Sequence, residues 1–216
     1  MLRLLTPALC TGALMFGMAT QADAALLFLA APNFVQPDEN LLFNGDGLLS
    51  GPGLMVQGAT NQTATIFNLT GTVDLVTPAA GQARVEDEAG TGFDRLLVDA
   101  LDPALYFTEF EANLNAGADG VATIKALSAL GETYTFQFGV NAGGQNFFGI
   151  KATEGDAIDT VLILTNGALQ DVRQIRLGGV GPRDGGDTGG GDVPEPTSLM
   201  LVGGALLAMT ASRRRG

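Results

Sequence analysis

The sequence predicts an all-β domain, an antiparallel β-sandwich or jelly roll, set between two apolar terminal segments, the C-terminal one read as a single transmembrane helix. Three observations predict it. Short runs of alternating apolar and polar residues recur through residues 25–180, clusters of Gly, Asn and Asp separate them, and helical spacing is nearly absent.

The clearest run is 133–140. Tyr134, Phe136, Phe138 and Val140 alternate there with Thr133, Thr135, Gln137 and Gly139, which buries one face and wets the other. Shorter runs are read as strands at 53–57, 64–68, 72–76, 84–86, 93–98, 105–114, 121–127, 146–152, 158–164 and 169–177. Turn signals fall at 44–47, 61–62, 89–90, 118–120, 131–132, 141–144, 155–156 and Asn166-Gly167. The best helix candidate, 121–130, places Val121, Ile124, Leu127 and Leu130 at intervals of three. Its β-branched Val121, Thr123 and Ile124 favour a strand instead. In 171–177, Val172, Gln174 and Arg176 point one way and Asp171, Arg173, Ile175 and Leu177 the other. Neither side is wholly apolar, which suits an edge strand.

Composition removes several function classes. The chain of 216 residues has 11 Lys plus Arg against 23 Asp plus Glu, a net charge of -12, with three of the cations in the last four residues. Without residues 1–24, the stretch 25–192 keeps 7 cations and 21 anions, a net of -14. A nucleic-acid binder would be basic, so nucleic acid is not an expected partner. An anionic membrane surface is disfavoured for the folded part as well. With no histidine there is no Ser-His-Asp triad, Cys-His pair or histidine-containing zinc site.

Residues 1–24 have the form of a secretory signal peptide: Arg3, an apolar run from Leu4 to Ala19, and Ala22 and Ala24 at the -3 and -1 positions of a cleavage site. Cys10, the one cysteine, lies within that run and leaves with it, so no disulfide is expected in the body. A body of about 150 residues buries enough core without one. At the other end, Val193 to Ser198 precede the apolar run 199–211, then Arg213, Arg214 and Arg215. Thirteen residues rise only about 20 Å as a helix, short for a hydrocarbon core of about 30 Å. Flanking residues and snorkelling arginines bring it near the lower limit. The arginines place the tail on the cytoplasmic side. Gly203 and Gly204 weaken the helix, which suits a temporary anchor.

Pro194, Glu195 and Pro196, the apolar run and the Arg213 to Arg215 cluster together resemble the C-terminal sorting signal of PEP-CTERM proteins, found in Gram-negative bacteria that make exopolysaccharide. The resemblance implies an inner-membrane cysteine protease, exosortase, as partner. It would recognise Pro194, Glu195 and Pro196 with the arginine tail, the inner membrane serving as a transient station before the cell surface or extracellular matrix. These residues would then be a substrate motif for another enzyme. The body, with its 144–148 and 170–177 segments, more loosely resembles the extracellular domains that precede such tails.

Four domains follow: a signal peptide (1–24), a β-sandwich (25–180), a Gly/Asp-rich linker (181–192) and the sorting signal (193–216). The linker contains six glycines and is expected to be a tether of roughly 20 Å mean reach that presents Pro194 to Pro196 clear of the body.

Candidate chemistry within the body is thin. Glu109 and Glu111, two apart on one strand, share a face roughly 7 Å apart. Their side chains reach glycosidase spacings of about 5 to 9 Å. Asn113 and Asn115 continue that face, however, so a solvated surface accounts for the carboxylates. Glu86, Asp87 and Glu88 with Asp94 or Asp99, and the loop 44–47, offer oxygens for calcium, but no EF-hand or nonapeptide spacing is present. Sugar recognition favours aromatic platforms. Trp is absent and Tyr is limited to Tyr106 and Tyr134, leaving Phe107, Phe147 and Phe148, which suit core packing better. Asn61-Gln62-Thr63 and Asn68-Leu69-Thr70 match a glycosylation pattern that turns and strands also produce. No catalytic, cofactor-binding or metal-ligating residue is assigned, and no cofactor is expected. The expected function is a non-enzymatic, exosortase-processed surface protein with a structural or adhesive role in exopolysaccharide. The alternative is a carbohydrate-binding module, calcium-assisted or not.

Overall fold

A computed structural model describes residues 25–78, 83–153 and 155–182. The segment expected as a signal peptide, nearly all of the expected linker and the C-terminal segment 193–216 lie outside them. Along the described residues run β1 (Ala25–Ala30), β2 (Glu39–Leu42), β3 (Gly53–Thr60), β4 (Ile66–Val76), β5 (Arg84–Asp87), β6 (Phe93–Ala100) and β7 (Leu105–Tyr106). They continue as β8 (Glu109–Ala116), β9 (Gly120–Ser128), β10 (Thr133–Val140), β11 (Asn146–Thr153), β12 (Ile158–Gly178) and β13 (Gly181–Pro182). No helix among the described residues is long and apolar enough to cross a membrane. The expected span at 199–211 lies outside them.

The fold is all-β, and every pairing between these strands is antiparallel. Eleven strands form one hydrogen-bonded sheet, while β7 pairs separately with β13. The run 133–140 is a strand over its full expected length, and 121–130 is β-structure through Ser128. The segment 105–114 divides into β7 and β8, with Phe107 bridging to Ile158 between them. Two expected pairs of strands merge: 64–68 with 72–76 in β4, and 158–164 with 169–177 in β12.

The 21 residues of β12 organise the sheet. Its first half runs between β9 and β6, and its second half between β8 on one side and β5, then β2, on the other. The segment 169–177 is therefore interior, correcting the edge position expected for it. Ladders followed from β12 through β2, β3, β4 and β6 lead back to β12. Two arms leave this circuit, β8-β11-β1 and β9-β10.

Strands usually run about 3–10 residues, because accumulated twist carries longer ones out of register. Bulges keep β12 paired. Opposite β8, the register passes from Arg173↔Asn113 to Arg176↔Glu111, inserting one residue, and Gln174 takes a φ of 53°. The insertion inverts the side-chain phase, so Val172, Ile175 and Leu177 all reach the interior. Strict alternation from Asp171 onward misplaced Ile175 and Leu177 for this reason. At Asn166-Gly167 the expected turn does not reverse the chain. Pairing with β6 jumps from Leu164↔Arg95 to Leu169↔Phe93, and Asn166 Oδ1 accepts the Val121 N–H at 2.8 Å.

A file of phenylalanines runs from the core out to half-buried rings on β10 and β1. Phe67, Phe107, Phe110, Phe148, Phe138, Phe136 and Phe28 meet in that order, with ring centroids 5.3 to 6.1 Å apart. Phe148 of β11 meets Phe138 of β10, and Phe28 of β1 stacks on Phe136, so the two arms face each other across these rings. Each such pair contributes about 0.5–1.5 kcal/mol beyond its buried area. β13 pairs Gly181 and Pro182, the first two residues of the stretch expected as linker, with β7.

Candidate functional site

Apolar side chains of β5, β12, β8 and β11 (Val85, Val172, Ala112, Leu114, Phe148, Ile150) point into the core, which leaves polar residues on the opposite face. Directly opposed residues of antiparallel strands share a face. Phe147 opposes Asn113, Asn113 opposes Arg173, and Arg173 opposes Arg84, one row across four strands. The next row holds Asn115, Asp171 and Glu86. On the other side lie Gly149, Glu111, Arg176 and Asn40, then Lys151, Glu109 and Gly178.

The four ion pairs formed among the described residues all lie on this face. Arg84 Nε meets Glu86 Oε2 at 2.7 Å, Arg173 Nε meets Asp171 Oδ1 at 2.6 Å, Lys151 Nζ meets Glu109 Oε1 at 2.6 Å, and Arg176 Nη1 lies 3.9 Å from Glu111 Oε1. A second Arg173 bond, Nη2 to Asp171 Oδ2 at 2.9 Å, makes that pair bidentate. The hydrogen bond to Glu86 holds the Arg84 guanidinium above its usual value, against burial and with added attraction from Glu86 and Asp171. The more exposed pairs, Arg84–Glu86 and Lys151–Glu109, contribute about 0–1 kcal/mol each, so their position on the face says more than their stability.

Glu109 and Glu111 share this face, but Glu111 is not solvated, which corrects the surface reading. Its side chain is 4% exposed and accepts the backbone N–H groups of Val35 and Gln36 at 3.2 and 3.1 Å. Asn113 is buried too. It donates from Nδ2 to Gln174 Oε1 at 3.0 Å and accepts the Asn146 N–H at 3.0 Å. Segment 33–36 crosses the face here because Gly149 has no side chain: a Cβ on it would strike Val35 Cγ2. Asn115 Nδ2 reaches Gln170 Oε1 at 3.2 Å and Asp171 Oδ2 at 2.7 Å. Glu109 is paired with Lys151, so the two carboxylates stand in different polar settings, each already occupied.

Other sequence candidates disperse. Asp87 closes the β5–β6 turn: Oδ2 accepts the Thr91 hydroxyl, the Thr91 N–H and the Gly92 N–H, and Oδ1 accepts the Ala89 N–H. The Thr91 hydroxyl first, opposed by burial but joined by those N–H groups, holds its carboxyl below the ordinary range. Glu86 belongs to Arg84, and Asp99 accepts from Asn68 at 3.2 Å. Burial, with help from Asp159 and against the Asn68 bond, pushes Asp99 up. For Glu39, burial pushes up, but the Thr63 N–H and hydroxyl, the Thr60 hydroxyl and the Gln62 N–H outweigh it and bring the carboxyl down. Among the described residues no group of three or more Cys, Asp or Glu converges on a metal position.

Phe107 and Phe148 are fully interior and offer no platform to a sugar. Phe147 is half-buried, and the 44% exposed Phe34 packs edge-on against it at 5.4 Å. Asn61 and Asn68 serve structure: Asn61 Oδ1 accepts the Asn40 N–H at 2.8 Å, and Asn68 links Gln57 to Asp99. Arg84, Arg173 and Arg176 escaped sequence reasoning as a group, because β5 and β12 are far apart in the chain and no local spacing records their pairing.

The sorting residues Pro194, Glu195, Pro196, Arg213, Arg214 and Arg215 lie outside the described residues. Residues 192–215 match the family described as the PEP-CTERM protein-sorting motif. No curated protein and no solved structure matches the chain. The chain thus carries, near its C-terminus, a motif that marks proteins for exosortase-mediated sorting to the cell surface. That motif is a non-catalytic signal and implies interaction with an exosortase.

Proposed function

We propose that this protein is an exported, non-enzymatic component of the cell surface or extracellular matrix, with a structural or adhesive role in exopolysaccharide. Its body is a β-sandwich in which the β8-β11-β1 and β9-β10 arms face each other across the phenylalanine file. A signal peptide, 1–24, directs export. The segment 199–211 holds the chain briefly in the inner membrane, and an exosortase acts at Pro194, Glu195 and Pro196 with Arg213 to Arg215 as its cytoplasmic flank.

The match over 192–215 is the observation that supports this reading most. The last described strand pairing, at Pro182, lies about ten residues before the motif, a length of chain sufficient to present it clear of the body. Replacing Pro194, Glu195 and Pro196 together by alanine tests it. The variant is expected to accumulate in the inner-membrane fraction of the host. Wild-type amounts at the cell surface would overturn the reading.

A second reading, carbohydrate binding, is favoured by the mixed-charge face bordered by Phe34 and Phe147. Amides, guanidinium groups and an aromatic rim together supply the contacts that sugar hydroxyls and ring faces require.

A further inference from the structure

We infer that the face bearing Arg84 and Arg173 binds a carboxylate-bearing polysaccharide, holding one acidic sugar's carboxylate between the two guanidinium groups and a neighbouring sugar ring against Phe34. This inference rests on the carbohydrate-binding reading and names the ligand class.

Arg84 and Arg173 stand directly opposite each other on adjacent strands, each with 30% of its side chain exposed. Like charges in that position are unfavourable. Each is offset chiefly by the carboxylate two residues along its own strand, with Asp171 adding attraction on Arg84. A guanidinium carries five N–H donors. Among the described residues, Arg84 donates from Nε and Arg173 from Nε and Nη2, which leaves both with further donors for a shared anion. A carboxylate accepts from two such forks in the geometry that arginine favours.

The charge pattern selects where a polyanion can approach. Of the six cations among the described residues, Arg84, Lys151, Arg173 and Arg176 lie on this face, each beside a carboxylate, with Asp38, Asp74 and Glu88 towards its margins. The other two, Arg95 and Lys125, lie elsewhere. An acidic polymer is repelled over most of the body and meets most of its cations here, with Arg84 and Arg173 side by side. The row from Arg84 through Arg173 and Asn113 to Phe147 spans three inter-strand spacings, about 14 Å, long enough for a short oligosaccharide. Phe34, packed on Phe147 at its end, presents an exposed ring to an apolar sugar face. Asn115 and Gln170 border the guanidinium pair with amides that hydroxyls can bond.

The test titrates protein recovered from the host surface with polygalacturonate, its methyl ester, which keeps the rings without the charge, and polyglutamate, which keeps carboxylates without rings. Polygalacturonate is expected to bind, with salt-sensitive affinity, and the other two to bind about tenfold more weakly or not at all. Arg84→Gln with Arg173→Gln should weaken polygalacturonate binding about tenfold, whereas Arg95→Gln with Lys125→Gln should leave it unchanged. Phe34→Ala, at an exposed position, and the single Arg84→Gln supply variants that do not depend on the double one folding. Equal binding of the methyl ester, lost in Phe34→Ala, would overturn the carboxylate assignment and leave carbohydrate binding standing. Binding of neither sugar polymer would overturn both. Weakening by the Arg95→Gln, Lys125→Gln pair as large as that by the opposed arginines would overturn the placement.

Discussion

Gly149→Ala changes one hydrogen to a methyl, yet it should be among the more damaging substitutions on the polar face. The backbone at Gly149 does not take a left-handed φ, so the cost is steric. The new Cβ would overlap Val35 Cγ2 and lie 3.2 Å from Val35 Cβ and 3.3 Å from the Phe110 carbonyl oxygen. Overpacking of this kind costs about 1–3 kcal/mol. Lifting segment 33–36 to relieve it breaks two N–H bonds to the Glu111 carboxylate, each worth about 1.5–3 kcal/mol when the acceptor is charged. Water reaching the uncovered carboxylate recovers part of that, so the net loss is expected at about 2–4 kcal/mol. In urea this is a midpoint shift of about 1–2 M with an unchanged slope. Hydrogen exchange at the Val35 and Gln36 amides should speed up beyond the global change. Val35→Ala, mildly destabilising alone, should restore most of the loss in combination, giving a coupling energy of opposite sign. A Gly149→Ala protein within about 0.5 kcal/mol of wild type, with both amides still protected, would refute the packing of 33–36 on this face.

Asp87 and Glu39 both have carboxyl groups held below their ordinary values, so each adds stability above a pH of about 4 that is lost on acidification through its folded-state value. Melting temperature should fall below about pH 4, and Asp87→Asn should flatten that fall. Asp99 has the opposite sign: Asp99→Asn should leave stability equal or higher at neutral pH, a difference that vanishes in acid. Phe107→Ala opens the buried end of the phenylalanine file and should cost about 3–5 kcal/mol in denaturant unfolding, against much less for the half-buried Phe147→Ala. Leu27 opposes Lys151, so Leu27→Cys with Lys151→Cys should oxidise to an intramolecular disulfide, seen as a faster-migrating monomer on a non-reducing gel. A ladder of disulfide-linked oligomers instead would contradict the pairing of β1 with β11 in one chain.

What was legible in the sequence follows from how local each determinant is. Thr133 to Val140 reads correctly because one apolar face and one wet face produce strict alternation within eight residues. The six residues of β1 show no alternation in ALLFLA, and their place beside β11 depends on residues more than a hundred positions away. Bulges defeat period-two reading in β12, where the extra residue near Gln174 turns Ile175 and Leu177 inward beside Val172. Asn166-Gly167 has turn chemistry, yet pairing of both flanks with β6, and of the first with β9, keeps the strand direction. Glu111 looked solvated because its cover, Val35 and Gln36, comes from a distant segment that settles over Gly149. The opposed arginines are hidden in the same way. By contrast, the sorting motif is a linear signal read as chain, and its residues were identifiable in full.

The most direct test of the proposed route is intact mass with C-terminal peptide sequencing of the protein recovered from the native host's surface or medium, in wild type and in a strain lacking the exosortase. Processing predicts a C-terminus close to Pro194 to Thr197 in wild type and not in the deletion strain. A tail that persists through Arg215 in both would contradict sorting and leave a body tethered by its C-terminal segment.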